Sequence, residues 1–286
     1  EKELLVDVSS NIEKVKPIAI ACLDASPTPP RTIGRVSSTF FAVSASNGLI
    51  EGPYSSPVHF VDQEVSINKE HGNLREKRQT NLEIHGILKY FNNPDTDNFY
   101  ALDGSVKYLG TSISRLINSD LEYSSVTTAN LDRLCKILDN GSLLGFVKQS
   151  ESNVVNELLK SKVLGIECLY EYQILNQLLE PGQYFIDVIK PFNLAHLKFD
   201  TSIEQATSFK NISDVLSMYK VITYKPLNNS GCVRIEYHQN QENNLLQILK
   251  SIDFDKSSKQ IVEPFCQYFA DQWAKYYARV YEDFWM

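Results

Sequence analysis

Cysteine is scarce in this 286-residue sequence, and its five residues are scattered along the chain without a Cys-x-x-Cys pair. An odd, dispersed set argues against a disulfide framework, and it also argues against a structural zinc site, whose ligands are closely spaced. Such a chain suits a reducing compartment. We therefore expect a cytoplasmic protein.

Long apolar runs are also missing. Hydrophobic residues make up 43% of the sequence, yet no stretch reaches the roughly 18 apolar residues of a membrane-spanning helix. We therefore expect a sizeable core and no membrane partner. The sequence has no G-x-x-x-x-G-K-[ST] motif, so any energy from nucleotide hydrolysis would have to come from a partner.

An excess of positive charge is the third absence. The 28 Lys and Arg residues are outnumbered by 35 Asp and Glu residues, which gives a formal net charge of -7. A protein that coats nucleic acid non-specifically needs the opposite sign. A cluster of carboxylates that holds divalent cations remains compatible with this balance. DNA would then be held in a local groove or delivered by a partner.

The first third of the chain has the pattern of a β-meander. An apolar strand is expected over residues 16–23, ending at Asp24, and the proline-rich residues 25–31 are expected to form a loop. The Asn-Gly pair that begins at Asn47 predicts a hairpin. Further strands are expected over residues 36–44, 49–51 and 56–64. Three antiparallel strands with an acidic residue on the first would suit the opening of an RNase H-like sheet.

Helices and strands alternate along the rest of the chain. Helices are expected over residues 70–91, 127–139, 151–162, 163–180 and 262–283. Strands are expected over residues 99–102, 143–147, 182–188, 219–226 and 232–238. Because no linker-like or repetitive stretch separates these segments, we expect one domain over residues 1–286 with helical insertions.

Two aspartates share one sequence context. Asp24 lies in A-C-L-D-A-S and Asp103 in A-L-D-G-S, so each follows an apolar strand and precedes a small residue. A rigid strand end can fix a carboxylate where a ligand approaches. Two neighbouring carboxylates favour hard cations, and a pair of Mg²⁺ or Mn²⁺ ions can promote phosphodiester hydrolysis. The alternative is that each aspartate only begins a turn.

A third acidic residue lies between them in sequence. Glu83 falls on the helix expected over residues 70–91, two turns after Glu76 on the same face. A short basic run at residues 75–78 lies beside them. Both features can be explained as a solvated helix face. Alternatively, Glu83 is a metal ligand and the basic run is a phosphate contact.

Taken in order, these segments resemble the NurA nuclease family. The series begins with the strand that ends at Asp24 and continues through Leu82-Glu83 to Leu102-Asp103-Gly104-Ser105. Its later members are residues 144–150, residues 233–236, and the C-terminal pairs Pro264-Phe265 and Ala270-Asp271. The order and spacing carry the resemblance, which extends over residues 16–280.

The resemblance implies an α/β fold with an RNase H-like mixed sheet, flanking helices and helical insertions. It implies a metal-dependent DNA nuclease that acts with a hexameric HerA-like ATPase in DNA end resection and double-strand break repair. We expect this protein to be a homodimer. The residues expected to be catalytic and to bind two Mn²⁺ or Mg²⁺ ions are Asp24, Glu83, Asp103 and Asp271. The residues expected to contact the DNA phosphates are Lys148 and Arg234. The alternative is that both are ordinary strand residues without a functional role.

Two departures from the family pattern leave other functions open. Ala25 follows Asp24 where the family has glycine, while Glu263 and Asp271 stand where it has tyrosine and histidine. Aspartate can replace histidine as a ligand of a hard cation. A second hypothesis is therefore a dimeric adaptor on a hexameric ATPase whose nuclease site has weakened. A third, glycoside hydrolysis by paired carboxylates, is disfavoured because both tryptophans lie at the far end of the chain.

Overall fold

The architecture was analysed in a computed structural model. It describes residues 4–18, 20–27, 31–33, 36–47, 59–68, 72–90, 99–119, 123–147, 171–187, 203–227, 231–253, 271–272, 274–276 and 278–280. None of the helices in these ranges has the length and hydrophobicity of a membrane-spanning segment. None of the described cysteines, Cys22, Cys135 and Cys232, forms a disulfide.

Ten strands and seven α-helices are found in the described residues. The strands are β1 (Leu5–Asp7), β2 (Ile20–Pro27), β3 (Arg31–Ile33), β4 (Val36–Asn47), β5 (His59–Asn68), β6 (Phe99–Asp103), β7 (Leu143–Val147), β8 (Gln183–Ile186), β9 (Tyr219–Tyr224) and β10 (Val233–His238). The helices are α1 (Ser9–Ile12), α2 (Gly72–Tyr90), α3 (Val106–Ile117), α4 (Thr128–Asn140), α5 (Glu171–Leu178), α6 (Ile203–Ser217) and α7 (Leu245–Asp253). Residues 271–272, 274–276 and 278–280 are also helical, and we call them the C-terminal helical segment.

All ten strands join one mixed sheet, in the order β1-β8-β9-β10-β7-β6-β2-β4-β3, with β5 paired to β4. The centre is parallel, since β6 pairs in parallel with both β2 and β7. The flanking pairs are antiparallel, including the β2–β4–β5 meander and the β9–β10 hairpin. The expected RNase H-like mixed sheet is therefore confirmed.

Each face of the sheet is covered by its own apolar cluster. On one face Leu23 and Leu102 pack with helices α2, α3, α4 and α6. On the other face Cys22 and Ala101 pack with α1 and α7. Neighbouring residues of β2 and β6 alternate between the two clusters because strand side chains alternate between faces.

Several sequence-based boundaries agree with the structure, and one is wrong. Strands β6, β7, β9 and β10 and helices α2 and α4 lie within a few residues of their expected positions. Strand β2, however, does not end before Asp24. It continues to Pro27 because residues 24–27 pair with Ser44–Phe41 of the long strand β4. The loop expected to begin at Ala25 is therefore incorrect.

Four helices and two strands were not expected, and some expected elements lie outside the described residues. The unexpected elements are helices α1, α3, α6 and α7 and strands β1 and β3. The expected helix over residues 151–162, the strand over 49–51 and the positions of Lys148 and Glu263 lie outside the described residues. For the helix expected over 262–283, the described part is the C-terminal helical segment.

Candidate metal centre

The two predicted strand aspartates lie side by side. Leu23 of β2 is paired with Leu102 of β6 in the parallel ladder, so Asp24 and Asp103 are the next residues on adjacent strands. The sequence-based prediction that adjacent strands of a mixed sheet carry these two aspartates is confirmed. Asp24 is buried and Asp103 is partly buried. The sheet therefore fixes both carboxylates at one place.

A third carboxylate reaches the same place from the far end of the chain. One carboxylate oxygen from each of Asp24, Asp103 and Asp271 lies within 4.8 Å of the other two. Asp271 is carried by the C-terminal helical segment, where its Oδ2 accepts a hydrogen bond from Lys275 Nζ at 2.6 Å. Three carboxylates from three separate parts of the chain therefore converge.

Glu83 of helix α2, the fourth predicted ligand, does not belong to this group of three carboxylates, but the charge of Asp103 acts on it. It lines the same cavity as Asp103 and accepts a hydrogen bond from Gln79 Nε2 at 3.3 Å. Burial raises the pKa of Glu83 to about 7; the Gln79 hydrogen bond opposes this shift, and the negative charge of Asp103 adds to it. Glu83 thus lies where a further negative charge is unfavourable unless a cation compensates it.

The cavity beside the carboxylates has a volume of about 690 Å³ and lies between β2, β6, α2 and α3. Its wall mixes acidic, basic, aromatic and small polar side chains. The lining residues are Leu23, Lys77, Gln79, Thr80, Glu83, Leu102, Asp103, Gly104, Ser105, Tyr108, Leu109, Ser112 and Arg115. A cavity of this size accommodates a small ligand or part of a polymer.

Glu236, which no sequence pattern marked as a candidate site residue, holds the turn after Asp103. Ser105 Oγ lies 2.8 and 2.9 Å from the two carboxylate oxygens of Glu236, and the backbone N–H of Lys107 donates to Glu236 at 2.9 Å. Ser105 also caps α3 by accepting from the N–H of Tyr108. The sequence around Glu236, V-R-I-E-Y, alternates in polarity and predicted only a strand.

Two glycines let this turn approach the sheet closely. Gly104 has a φ of 148°, a backbone conformation that residues other than glycine rarely adopt. A Cβ at Gly145 would lie 2.9 Å from the carbonyl oxygen of Gly104 and 3.0 Å from the nitrogen of Val106. The backbone of β7 thus packs directly against the turn that follows Asp103.

Arg234, one of the two predicted phosphate contacts, lies in a charged cluster behind this turn. Its guanidinium is 3.3 Å from Glu236 Oε1 and 3.8 Å from Asp187 Oδ2, and its side chain is 14% exposed. Burial lowers the pKa of the nearby Lys107. The charges of Glu236 and Asp187 raise this pKa, and the charge of Arg234 lowers it. Two acidic and two basic side chains therefore balance one another beneath the Asp103 turn. Lys148, the other predicted contact, lies outside the described residues.

The donor set fits a hard divalent cation. The three converging ligand atoms are all carboxylate oxygens, which Mg²⁺ and Mn²⁺ prefer over the sulfur and nitrogen donors typical of zinc sites. Their negative charges would repel one another in the absence of a cation. Burial is the main cause of the raised pKa of Glu83, and the charge of Asp103 adds to it.

These features define an RNase H-like fold: a mixed sheet with aspartates on adjacent central strands, and helices on both faces. More specifically, the fold is NurA-like. The crystal structure of the NurA nuclease from Sulfolobus solfataricus matches 93% of this chain and 81% of its own, with a TM-score of 0.57 and 13% identity. NurA crystallised with manganese matches 87% of this chain and 86% of its own, with a TM-score of 0.54 and 10% identity.

A structure of NurA bound to dAMP and manganese is similar as well, with a TM-score of 0.50 and 9% identity over 90% of this chain and 84% of its own. At such identities the likeness establishes the fold. No family model matches the sequence, and no curated protein sequence matches it.

Proposed function

We propose that this protein is a deoxyribonuclease that depends on Mn²⁺ or Mg²⁺ and hydrolyses phosphodiester bonds. The observation that carries the proposal is the convergence of Asp24, Asp103 and Asp271, whose carboxylate oxygens lie within 4.8 Å of one another. The NurA-like fold supports it, because structural neighbours of this fold include a nuclease and proteins crystallised with manganese.

Each carboxylate has a separate structural support in this proposal. Asp24 and Asp103 would bind cations from the rigid centre of the sheet, and Asp271 would bind from the C-terminal helical segment. Glu83 would add a fourth carboxylate from α2. When bound, two such ions would activate water and stabilise the leaving oxygen. We propose Lys148, which follows β7 directly, and the exposed edge of Arg234 as phosphate contacts.

The decisive experiment replaces Asp103 by asparagine. We expect Asp103→Asn to abolish metal-dependent DNA degradation while the protein stays folded, because an amide cannot supply the lost negative charge. Degradation would be assayed in manganese and in magnesium, with chelator controls. The matched control is Asp139→Asn. Asp139 is exposed near the end of α4, just before the first residue of β7, whereas Asp103 is the last residue of the parallel strand β6.

The same assay distinguishes the adaptor hypothesis. A folded wild-type protein that binds manganese weakly and degrades no DNA in either metal would favour a dimeric adaptor on a hexameric ATPase. Equal degradation by the wild type and by Asp103→Asn would remove Asp103 from the site and overturn the proposed chemistry.

We further propose a cytoplasmic role in DNA end resection and double-strand break repair, with a HerA-like hexameric translocase as partner. The net charge of -7 supports a partner that delivers DNA, because little non-specific attraction to a polyanion is available. The absence of a nucleotide-binding motif from the sequence agrees with a separate ATPase.

A further inference from the structure

The cavity beside the carboxylates has a basic side as well as an acidic one. Its acidic residues are Glu83 and Asp103, and its basic residues are Lys77 and Arg115. Lys77 Nζ donates a hydrogen bond to Ser119 Oγ at 3.1 Å, which places Lys77 beside the end of α3 that carries Arg115. Acidic and basic side chains are therefore separated along the cavity.

An exposed aromatic ring lies next to the basic side. Tyr108 is 50% exposed and lines the cavity three residues after Ser105, in the first turn of α3. Its hydroxyl accepts a hydrogen bond from Arg115 Nη1 at 2.7 Å, and the guanidinium carbon lies 5.5 Å from the ring centroid. Arg115 thus helps to orient a ring that solvent can reach.

Helix geometry brings these groups onto the walls of one cavity. Tyr108, Ser112 and Arg115 have i, i+4, i+7 spacing and form one stripe of α3, and all three line the cavity. On α2, Lys77 precedes Glu83 by six residues, which corresponds to about 9 Å along the helix axis. Because these residues line one cavity, a strand that places a phosphate at the carboxylates brings a neighbouring phosphate within reach of the basic side.

We propose that Lys77, Arg115 and Tyr108 form a nucleotide-binding subsite that holds the DNA strand next to the phosphate under attack. Lys77 and Arg115 contact a neighbouring phosphate, and Tyr108 stacks on an unpaired base. This inference rests on the proposed nuclease function and adds direct strand contacts that do not require a metal ion. The acidic side then needs cations to accept a phosphate, whereas the basic side does not.

The test measures binding without hydrolysis. Fluorescence anisotropy of a labelled oligodeoxythymidine is recorded in EDTA over a range of salt concentrations for the full-length wild type and for Lys77→Gln/Arg115→Gln. Each lost contact with a single-stranded phosphate lowers the slope of log affinity against log salt by about 0.7. Because both side chains contact the same phosphate, we expect the double variant to lose about 0.7 from the magnitude of that slope.

Three control variants separate charge from structure. Lys136→Gln removes one exposed charge on α4, outside the cavity, and is expected to leave the slope unchanged. Ser119→Ala removes the hydroxyl that accepts the Lys77 hydrogen bond but keeps the Lys77 charge. Arg115→Lys also keeps the charge. Both should retain the wild-type slope, and circular dichroism would establish that each variant is folded.

The stacking contact is tested by a matched pair of variants. Tyr108→Leu removes the aromatic face, and we expect DNA affinity to fall by roughly tenfold, in the range measured for base–aromatic stacking. Tyr108→Phe keeps the ring but loses the hydroxyl that accepts from Arg115, and it should bind within about threefold of the wild type.

The outcomes separate this inference from the proposed function. If the double variant has the same slope as Lys136→Gln, or Tyr108→Leu binds as tightly as Tyr108→Phe, the subsite is refuted even in a protein that degrades DNA. If Asp103→Asn retains full activity, the proposed chemistry fails, but the anisotropy measurements still report whether the strand contacts exist.

Discussion

Ser105 Oγ lies within 2.9 Å of both carboxylate oxygens of Glu236, although the two residues are separated by 131 positions in the sequence. Ser105 is two residues after Asp103 and caps α3, so this contact fixes the turn that presents the Asp103 carboxylate. Glu236 is fully buried and also contacts Arg234. We therefore interpret Glu236 as a positioning residue.

Replacing Glu236 should affect stability strongly. Glu236→Ala removes the acceptor of Ser105 and of the Lys107 N–H, and it leaves the buried charge of Arg234 less compensated. We expect the free energy of unfolding, measured by urea titration, to fall by about 3–5 kcal/mol. The exposed Glu204 at the start of α6 is the control, and Glu204→Ala should cost about 0.3–1 kcal/mol. Equal effects of the two variants would contradict the structural role of Glu236.

Gly145→Ala tests the close packing of β7 against the Asp103 turn. The added methyl group would lie 2.9 Å from the Gly104 carbonyl oxygen and 3.3 Å from Glu236 Cβ, so the turn must move. Overpacking of this kind costs about 1–3 kcal/mol. We expect manganese affinity to decrease together with stability, because Asp103 is displaced from Asp24. Unchanged manganese affinity in a destabilised variant would contradict this prediction, because it would mean that the turn moves and Asp103 keeps its position.

The sequence was sufficient to predict that Asp24 and Asp103 lie on adjacent strands. Asp24 and Asp103 each follow an apolar strand, and this repeated pattern correctly placed them on neighbouring strands. It did not reveal that β2 continues past Asp24, because proline and small residues usually indicate a loop. The structure differs because long-range pairing with β4 extends the strand to Pro27. Local propensity is overridden there by tertiary pairing.

Helix α3 was not predicted from the sequence, for a different reason. Val106, Leu109, Ile113 and Leu116 have helical spacing and are all buried, so a signal for the helix exists in the sequence. Gly110 and several β-branched residues weaken that signal. Glu236 could not be recognised as a neighbour of Ser105 from any local pattern, because the β6–β7 and β7–β10 pairings together bring them close. Contacts of this kind depend on topology.

Manganese should stabilise the folded protein through the aspartate cluster. A ligand at a hundredfold excess over its dissociation constant adds about 2.7 kcal/mol, which corresponds to a rise in Tm of roughly 5–10 °C for a chain of this size. Differential scanning fluorimetry with manganese and then with EDTA measures the shift. Asp24→Asn, Asp103→Asn and Asp271→Asn should each lose most of it, whereas Asp139→Asn should keep it. A full shift in all three variants would exclude the cluster as the metal site.

The C-terminal helical segment is the surface that we predict to mediate dimerisation. Tyr276 and Val280 lie one helical turn apart and are 55% and 42% exposed. Exposed apolar side chains so close together are costly in water and suit a contact between two copies. We expect light scattering to show a dimer for the wild type and a monomer for Tyr276→Glu/Val280→Glu. Leu178→Glu, at an exposed apolar residue of α5, is the control and should remain dimeric.

DNA degradation should depend on a translocating partner. A chain with a net charge of -7 gains little from counterion release away from the metal site and the few basic residues of the cavity, so it should bind DNA weakly by itself. We predict that a cognate HerA-like hexameric ATPase with ATP increases the rate of degradation, because threading raises the local concentration of the strand at the carboxylates. The controls are the ATPase without ATP and the ATPase with Asp103→Asn. Tight binding with a steep salt dependence by the isolated protein would contradict the charge argument, and equal rates with and without the ATPase would contradict the partnership.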